Sequence, residues 1–491
     1  MPTTVLVTAA GSGVANNLVR SLTAWDPDLV TAGCHDDPFR LRASTARHNW
    51  LVPPAAHPRW PRAMRAVVAE SGAGVALPMT DADVTAVAAI RRRLGCRTLL
   101  PSGDVLALCA DKLRLTRHLA ARGVPVPRTY AVDTPRRLVD VARRLGAPRM
   151  LWCRMRQGAG SMGATPVRTA AQARHWIDYW VRLRGVPASA FTLAEYLPGR
   201  DFACQSLWRD GRLVLVKTVE RLSYFGGVSR PSGVSSVAAL ARTVTAPAVA
   251  DVAVRAVRAL GAGVSGAFSV DLKENRDGVP CVTEINAGRF ITMLNLFDVA
   301  GKHSMSAVYV RLALGEDVGL HDEYDAAEDH YLIRDVDTPP AIFHGAEVFE
   351  GLRDARGVNR GPGRTTTGGH DGRAAQEGRE EHGAPGGHRP ADEEERKGAR
   401  AGAAGRGQGL GRQAVDEDQA QESPRVAGAR RWALPVELDG HALEALRLEL
   451  RRVAADYGAT ITAFRVTPRA RPRRAPARRT FPARRRAGSP P

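Results

Sequence analysis

The stretch Asp271-Leu272-Lys273-Glu274-Asn275-Arg276-Asp277-Gly278-Val279-Pro280-Cys281-Val282-Thr283-Glu284-Ile285-Asn286 decides how the chain is read. Asp277-Gly278 is a strong hairpin signal, because both residue types tolerate the left-handed backbone of a tight turn. On either side, Ser265 to Leu272 and Val279 to Ile285 read as antiparallel strands. The hairpin sets Asp271 and, thirteen residues on, Glu284 with Asn286 on neighbouring strands, side chains on one face. Two carboxylates and an amide oxygen are hard donors suited to Mg²⁺, which takes a few protein oxygens beside phosphate oxygens and water. Arg289, three residues beyond, is placed to reach a transferring phosphate. A hairpin bearing solvated charges accounts for the same residues when they are taken alone.

Upstream the pattern is also one of hairpins. Phe202 to Trp208 and Leu213 to Val219 flank Asp210-Gly211, and a helix is expected from Ala248 to Leu260. Met150 to Arg154 and Thr165 to Val167 flank Gln157-Gly158-Ala159-Gly160-Ser161-Met162-Gly163. Small residues let backbone N–H groups close over phosphate oxygens, and Arg154 beneath would offset their charge. A flexible hairpin is the alternative. From 150 to about 320 the chain therefore reads as α+β with an antiparallel sheet.

The first hundred residues differ. Val5 to Thr8, Leu29 to Cys34 and Val75 to Pro78 are short buried strands, the second ending near Asp36-Asp37. Ala15 to Leu22 and Asp83 to Leu94 read as helices between and after them, which gives a parallel α/β layer. Asp111 to Arg122 is a further helix, stopped by Gly123. Gly11-Ser12-Gly13 looks like the glycine turn of a dinucleotide fold, but Asn16 stands where a third glycine belongs. A tight turn into a helix and a phosphate cradle fit it equally.

Taken in order and spacing, these motifs resemble the ATP-grasp superfamily. They are Asp111-Lys112, Gly123-Val124-Pro125-Val126-Pro127, the glycine loop, Glu195-Tyr196-Leu197-Pro198-Gly199-Arg200-Asp201 and Glu284-Ile285-Asn286. The look is that of the carbamoyl-phosphate synthase large chain and of single-module carboxylate–amine ligases, over about residues 3 to 340. The resemblance implies that Lys112 and Arg154 hold ATP phosphates, under a covering loop with Gly158, Gly160, Ser161 and Gly163. It implies that Glu195, Tyr196 and Leu197 form the adenine hinge and that Asp201 takes the ribose hydroxyls. Asp271, Glu284 and Asn286 then hold Mg²⁺, and Lys217, Arg221 and Arg289 act catalytically near phosphate or substrate. One departure stands out: relatives read E-I-N-P-R, whereas Ala287-Gly288 delays the arginine by one residue. The implied activity is an ADP-forming ligase that activates a carboxylate as an acyl phosphate for capture by an amine. The expected partners are a small carboxylate and a small amine, with a homodimer left open.

The expected organisation is an α/β domain at 1–104 and an ATP-grasp domain at 105–350, with a lid at about 125–198. After Phe349 no aromatic residue appears until Trp432, so 351–433 is expected to be disordered. A helix from His441 to Tyr457 and a strand from Thr460 to Val466 are expected within 434–466, and a basic disordered tail at 467–491. The Arg-Gly-Ala-Pro text after Asn359 is also what GC-rich DNA gives when read out of frame. On either account a chain ending at Arg353 is expected to keep its fold and activity.

The net charge of +19 suggests nucleic acid, but the last 41 residues hold 12 arginines against one acid and lack stacking aromatics apart from Tyr457, Phe464 and Phe481. No nucleic-acid partner is therefore expected. Six scattered cysteines form no C-x-x-C pair and read as ordinary buried thiols. No signal peptide and no apolar run near the ~20 residues of a membrane helix is visible, so no membrane partner and a cytoplasmic location are expected. A dinucleotide-binding oxidoreductase, which leaves the 271–286 hairpin unexplained, and an inactive ATP-binding protein are the rival readings.

Overall fold

Short apolar runs between capped helices build the first layer. The structure, a computed structural model, describes residues 3–146, 149–227, 230, 232–335, 339, 341–349, 440–456 and 458–461. Strands β1 (Thr4–Thr8), β2 (Val30–His35), β3 (His48–Leu51) and β4 (Val75–Leu77) form a parallel sheet in the order β3-β2-β1-β4. Val5, Leu6 and Val7 are fully buried because helices cover both faces of a parallel sheet. Ser12 caps the helix Gly13–Trp25 and Thr80 caps the helix Asp81–Ile90, each accepting a backbone N–H. β3 and the helix Trp60–Ser71 escaped the sequence reading. β3 is a largely exposed edge strand, and the helix carries a proline in its first turn, where the missing N–H costs nothing.

Strands β5 (Thr129–Ala131), β6 (Leu151–Met155), β7 (Thr165–Val167) and β8 (Phe191–Glu195) make an antiparallel sheet, ordered β5-β8-β6-β7. Helices Leu138–Arg144 and Ala170–Arg184 back it, and Leu138, Val141 and Ile177 share a core with Leu151, Phe191 and Leu193.

The third sheet is the largest. It comprises β9 (Asp201–Arg209), β10 (Arg212–Tyr224), β11 (Ala238–Thr243), β12 (Gly266–Glu274), β13 (Pro280–Ala287), β14 (Glu323–Tyr324), β15 (His330–Ile333) and β16 (Ala341–His344). The order is β13-β12-β9-β10-β11-β15-β16, with β14 parallel beside β10. Asp210 and Gly211 both take positive φ, as a two-residue turn requires. Asp277-Gly278 behaves differently. Asn275 accepts from the backbone of Asp277 and Val279, so the connection spans 275–279 rather than two residues. Two apolar cores join this sheet to the first one: Leu6, Val84 and Leu100 pack with Phe202 and Phe268 in one, and Val5 and Leu18 share the other with Leu207 and Phe290.

The helix Gly440–Asp456 corrects an expectation. It packs on β10 and buries Glu444, Arg447 and Leu448, so the segment after Arg353 is not idle. Arg242 of β11 donates to Glu220 of β10 and to Glu444; Tyr331 also donates to Glu444, and Arg447 and Arg451 bond Asp329. Thr460 and Ile461 are not in a strand. The expected remainder of that strand, and the disorder expected over 351–433 and 467–491, lie outside the described residues.

Candidate active site

Strand register assembles the charged residues. β12 and β13 place Asp271 opposite Glu284 and Ser269 opposite Asn286. β9 lies between β10 and β12, so Asp201 faces Arg221 on one side and Lys273 on the other. Directly opposed side chains lie within about 5 Å, which is why an ionic chain follows from the pairing alone. Arg221 donates to Asp201 at 3.2 Å and to Asp271 at 2.5 Å, Lys273 Nζ lies 3.8 Å from Asp201, and Asn286 Nδ2 donates to Asp271 at 3.5 Å. Burial pulls the Arg221 guanidinium down, but Asp271 and Asp201 outweigh it and hold the group well above its ordinary range. Burial, with the Asp201 charge adding to it, pushes the nearby Tyr224 phenol well up.

Lys112 comes from the start of a separate helix. Asp111 accepts from the N–H groups of Leu113 and Arg114 and so starts the helix Lys112–Ala120, while Arg156 grips the same carboxylate at 2.6 Å. The bond from Lys112 N to Arg156 O, 2.9 Å, fastens that helix to the end of β6. Lys112 Nζ then lies 3.3 Å from Glu284 and donates to Gly158 O at 2.7 Å. Arg154 on β6 is buried. Burial lowers its pKa, opposed by the charges of Glu284 and Asp271. Its buried Nε has no partner among the described residues, a costly state for a cation that an anion would relieve.

Gly158, Gly160, Ser161 and Gly163 all take positive φ, a left-handed backbone that glycine adopts without strain. The loop is held at three carbonyls, Gly158 by Lys112, Gly160 by Arg230 and Gly163 by the Trp176 indole at 3.0 Å. Arg230 and Trp176 carry no motif, and the sequence reading missed both. Glu195 is turned outward to Arg128, Leu197 is buried, and the Tyr196 ring lies 6.4 Å from Trp152 and 5.9 Å from Lys273 Nζ.

The delayed arginine reaches the same place. Gly288 takes φ +82°, and a Cβ there would come within 2.8 Å of Val84, so the chain turns sharply against the helix Asp81–Ile90. The turn returns Arg289 to Asn286 Oδ1 at 2.7 Å and sets its Nε on Asp81. Lys217 is not brought into the cluster. It is buried and donates to Phe297 O and Ala300 O, both at 2.7 Å, with Asp325 at 2.9 Å.

The N-terminal glycine turn is accounted for by packing. A Cβ on Gly11 would lie 1.7 Å from Arg40 O, Ser12 serves as a helix cap, and Asn16 bonds Ala43 and Thr45. A cavity of about 400 Å³ lined by Arg117, Tyr130, Arg137 and Arg144 touches none of the clustered residues. All six cysteines are free, and burial pushes Cys109 and Cys153 up to about 12, which removes them as nucleophiles near neutral pH. Among the described residues no three His, Cys, Asp or Glu side chains converge as a metal group, and no helix is long and apolar enough to cross a membrane. The donors on β12 and β13 remain two carboxylates and an amide. That set fits an ion whose other ligands come from phosphate and water rather than one held by protein alone.

No family model matches the chain. It is 31% identical over 221 residues to a probable alpha-L-glutamate ligase of Xanthomonas campestris pv. campestris (strain 8004), covering 44% of this chain and 72% of that protein. A probable alpha-L-glutamate ligase of Stenotrophomonas maltophilia (strain R551-3) is 30% identical over 226 residues, covering 44% and 71%. Among solved structures, the Campylobacter jejuni biotin carboxylase–beta-gamma-ATP complex matches with TM-score 0.53 at 12% identity, over 68% of this chain and 75% of that one. The L-amino acid ligase of Bacillus licheniformis matches with TM-score 0.51 at 12% identity, over 67% and 78%. At such identities the structural likeness is one of fold.

Proposed function

This chain belongs to the ATP-grasp superfamily and to the family of the probable alpha-L-glutamate ligases, and from that premise we propose that it joins a carboxylate to an amine through an acyl phosphate, at the expense of ATP. The working parts are residues 1–104 and 105–350, and the glutamate named in its relatives is the substrate to try first. The observation that carries the reading is the convergence of Lys112, buried Arg154 and the glycine loop on the paired carboxylates Asp271 and Glu284.

Phosphoryl transfer depends on positioning and charge neutralisation more than on covalent help. Lys112 and Arg154 hold the triphosphate from below, and the unpartnered Arg154 Nε gains an acceptor. The loop's left-handed residues aim backbone N–H groups at phosphate oxygens, and the hinge at Glu195 to Leu197 takes the adenine. Asp201 receives the ribose hydroxyls. Arg221 holds the Asp271 carboxylate in place. Asp271, Glu284 and Asn286 would hold Mg²⁺, which would neutralise phosphate charge. The carboxylate oxygen forms a bond to the γ-phosphorus as ADP leaves. The amine nitrogen then forms the C–N bond, phosphate departs with the C–O electron pair, and the nitrogen releases a proton. Arg289, beside Asn286, faces the transferring group.

The test is ADP release with L-glutamate as carboxylate and amine. Lys112→Ala or Arg154→Ala is expected to lose one charge-assisted contact, about 1.5–3 kcal/mol, and so to weaken ATP binding at least roughly tenfold in calorimetry. Glu284→Gln is expected to retain the fold and nearly abolish ADP formation. Parent-like ATP affinity in both cation variants would sink the assignment.

A further inference from the structure

Resting on the ligase reading, we infer that Asp81 forms an acceptor subsite, binding the ammonium of an α-amino acid beside Arg289. The helix Asp81–Ile90 carries two acids in its first turn, and both differ from ordinary capping residues. Thr80 already caps the helix, accepting from Asp83 N. Asp83 is taken up by Thr8, whose hydroxyl donates to it at 2.8 Å. Asp81 has neither duty. Its side chain remains 57% exposed, and Arg289 is its one ion-pair partner among the described residues.

The position of this pair gives it a use. Arg289 is anchored to Asn286, so the Asp81 carboxylate stands at the edge of the β12–β13 donor set without belonging to it. The other acids there are committed: Asp271 to Arg221, Glu284 to Lys112, Asp201 to Arg221 and Lys273. An incoming amine needs an acid that solvent can reach, and Asp81, at 57%, is far more exposed than Asp271, Glu284 or Asp201, at 22%, 25% and 19%. An α-amino acid is a zwitterion. Its carboxylate and ammonium match Arg289 and Asp81 charge for charge, so one ion pair is replaced by two, and the bound ammonium gives up one proton to water before its freed lone pair attacks the acyl carbon. The Gly288 turn, which delays the arginine by one residue, is what sets Arg289 against this helix.

Hydroxylamine separates the subsite from the chemistry, because it is small, largely neutral at pH 7 and traps acyl phosphates without an ammonium. The full chain is assayed with ATP, magnesium and L-glutamate, capturing with hydroxylamine or with each of the twenty amino acids. In Asp81→Asn, KM for the accepted amino acid is expected to rise at least tenfold, while hydroxamate formation and KM for ATP stay within twofold. Asp81→Glu is expected to recover part of the loss. Equal loss of hydroxamate and peptide would make Asp81 a support for Arg289 and overturn the subsite. So would an unchanged KM, or a parent that forms hydroxamate but accepts no amino acid. If the parent forms no hydroxamate at all, the ligase reading itself fails, and the subsite with it.

Discussion

Of the 70 basic residues in this chain only five are lysines, so each lysine invites a geometric reason. Lys217 has one. Its Nζ meets Phe297 O, Ala300 O and Asp325, three oxygens for the three N–H donors that an ammonium carries on one compact atom and a planar guanidinium does not. Burial alone would raise the Asp325 pKa, but the Lys217 bond and the backbone N–H groups of Lys302 and His303 hold it below the ordinary range. Lys217→Met strands that carboxylate and is expected to cost about 3–5 kcal/mol, read as a loss of unfolding free energy in urea, with ATP affinity of the folded protein unchanged. The sign with pH follows from the depressed carboxylate. Its contribution is fully present above the unfolded value of about 3.9 and is lost as pH falls through the lower folded value, so the penalty should be full at pH 7 and shrink in strong acid. The resemblance placed Lys217 near phosphate because residue type and rough position were all it had to go on. Its true partners come from segments far along the chain, and only the packed sheet shows them. Asp271, Glu284 and Arg154 were legible for the opposite reason: hairpin spacing and a glycine loop are local, and register does the rest.

At the level of elements, sequence reading succeeded where a turn signal bounded an apolar run and failed where polarity hid a strand. The β9–β10 and β12–β13 hairpins of the large sheet were legible, whereas β3, His48–Leu51, offers its side chains mostly to solvent at a sheet edge. The glycine loop was legible as small residues, but not its three external ties. Those ties make its glycines unequal. A Cβ on Gly163 would lie 2.6 Å from Met155 Cγ and Sδ, while one on Gly160 meets open space, and both positions have positive φ. Gly163→Ala thus adds a clash to backbone strain of about 1–3 kcal/mol. It is expected to raise KM for ATP on the order of tenfold, with Gly160→Ala falling short of that in the same assay.

For the whole molecule, the helix Gly440–Asp456 changes the account most. It could not be foreseen as docked, because its anchors are charged, and charged residues on a helix ordinarily read as its solvated face. Glu444 sits between Arg242 and Arg447, bonding them at 2.9 and 2.7 Å, so its carboxylate separates the half-buried Arg242 cation from the buried Arg447 cation. Glu444→Gln removes that separation and is expected to destabilise the fold by about 3–5 kcal/mol in denaturant titration. A chain ending at Arg353 is expected to melt below the full chain, against the reading from sequence alone; coincident melting curves would show the helix to be dispensable after all.

That docking also has a consequence for synthesis. β10, β11 and β15 are all made by Ile333, yet the helix that covers Arg242 and Tyr331 is not complete until Asp456. At roughly 5–20 residues per second, a ribosome needs on the order of ten seconds to cover that interval. Throughout it the nascent sheet holds Arg242 with Glu220 but without Glu444, and Asp329 and Tyr331 without the guanidinium and carboxylate groups of the helix. The large sheet can therefore pair its strands early, but its outer charges are matched only when the late helix arrives, and in that window they are open to chaperones and to neighbouring nascent chains.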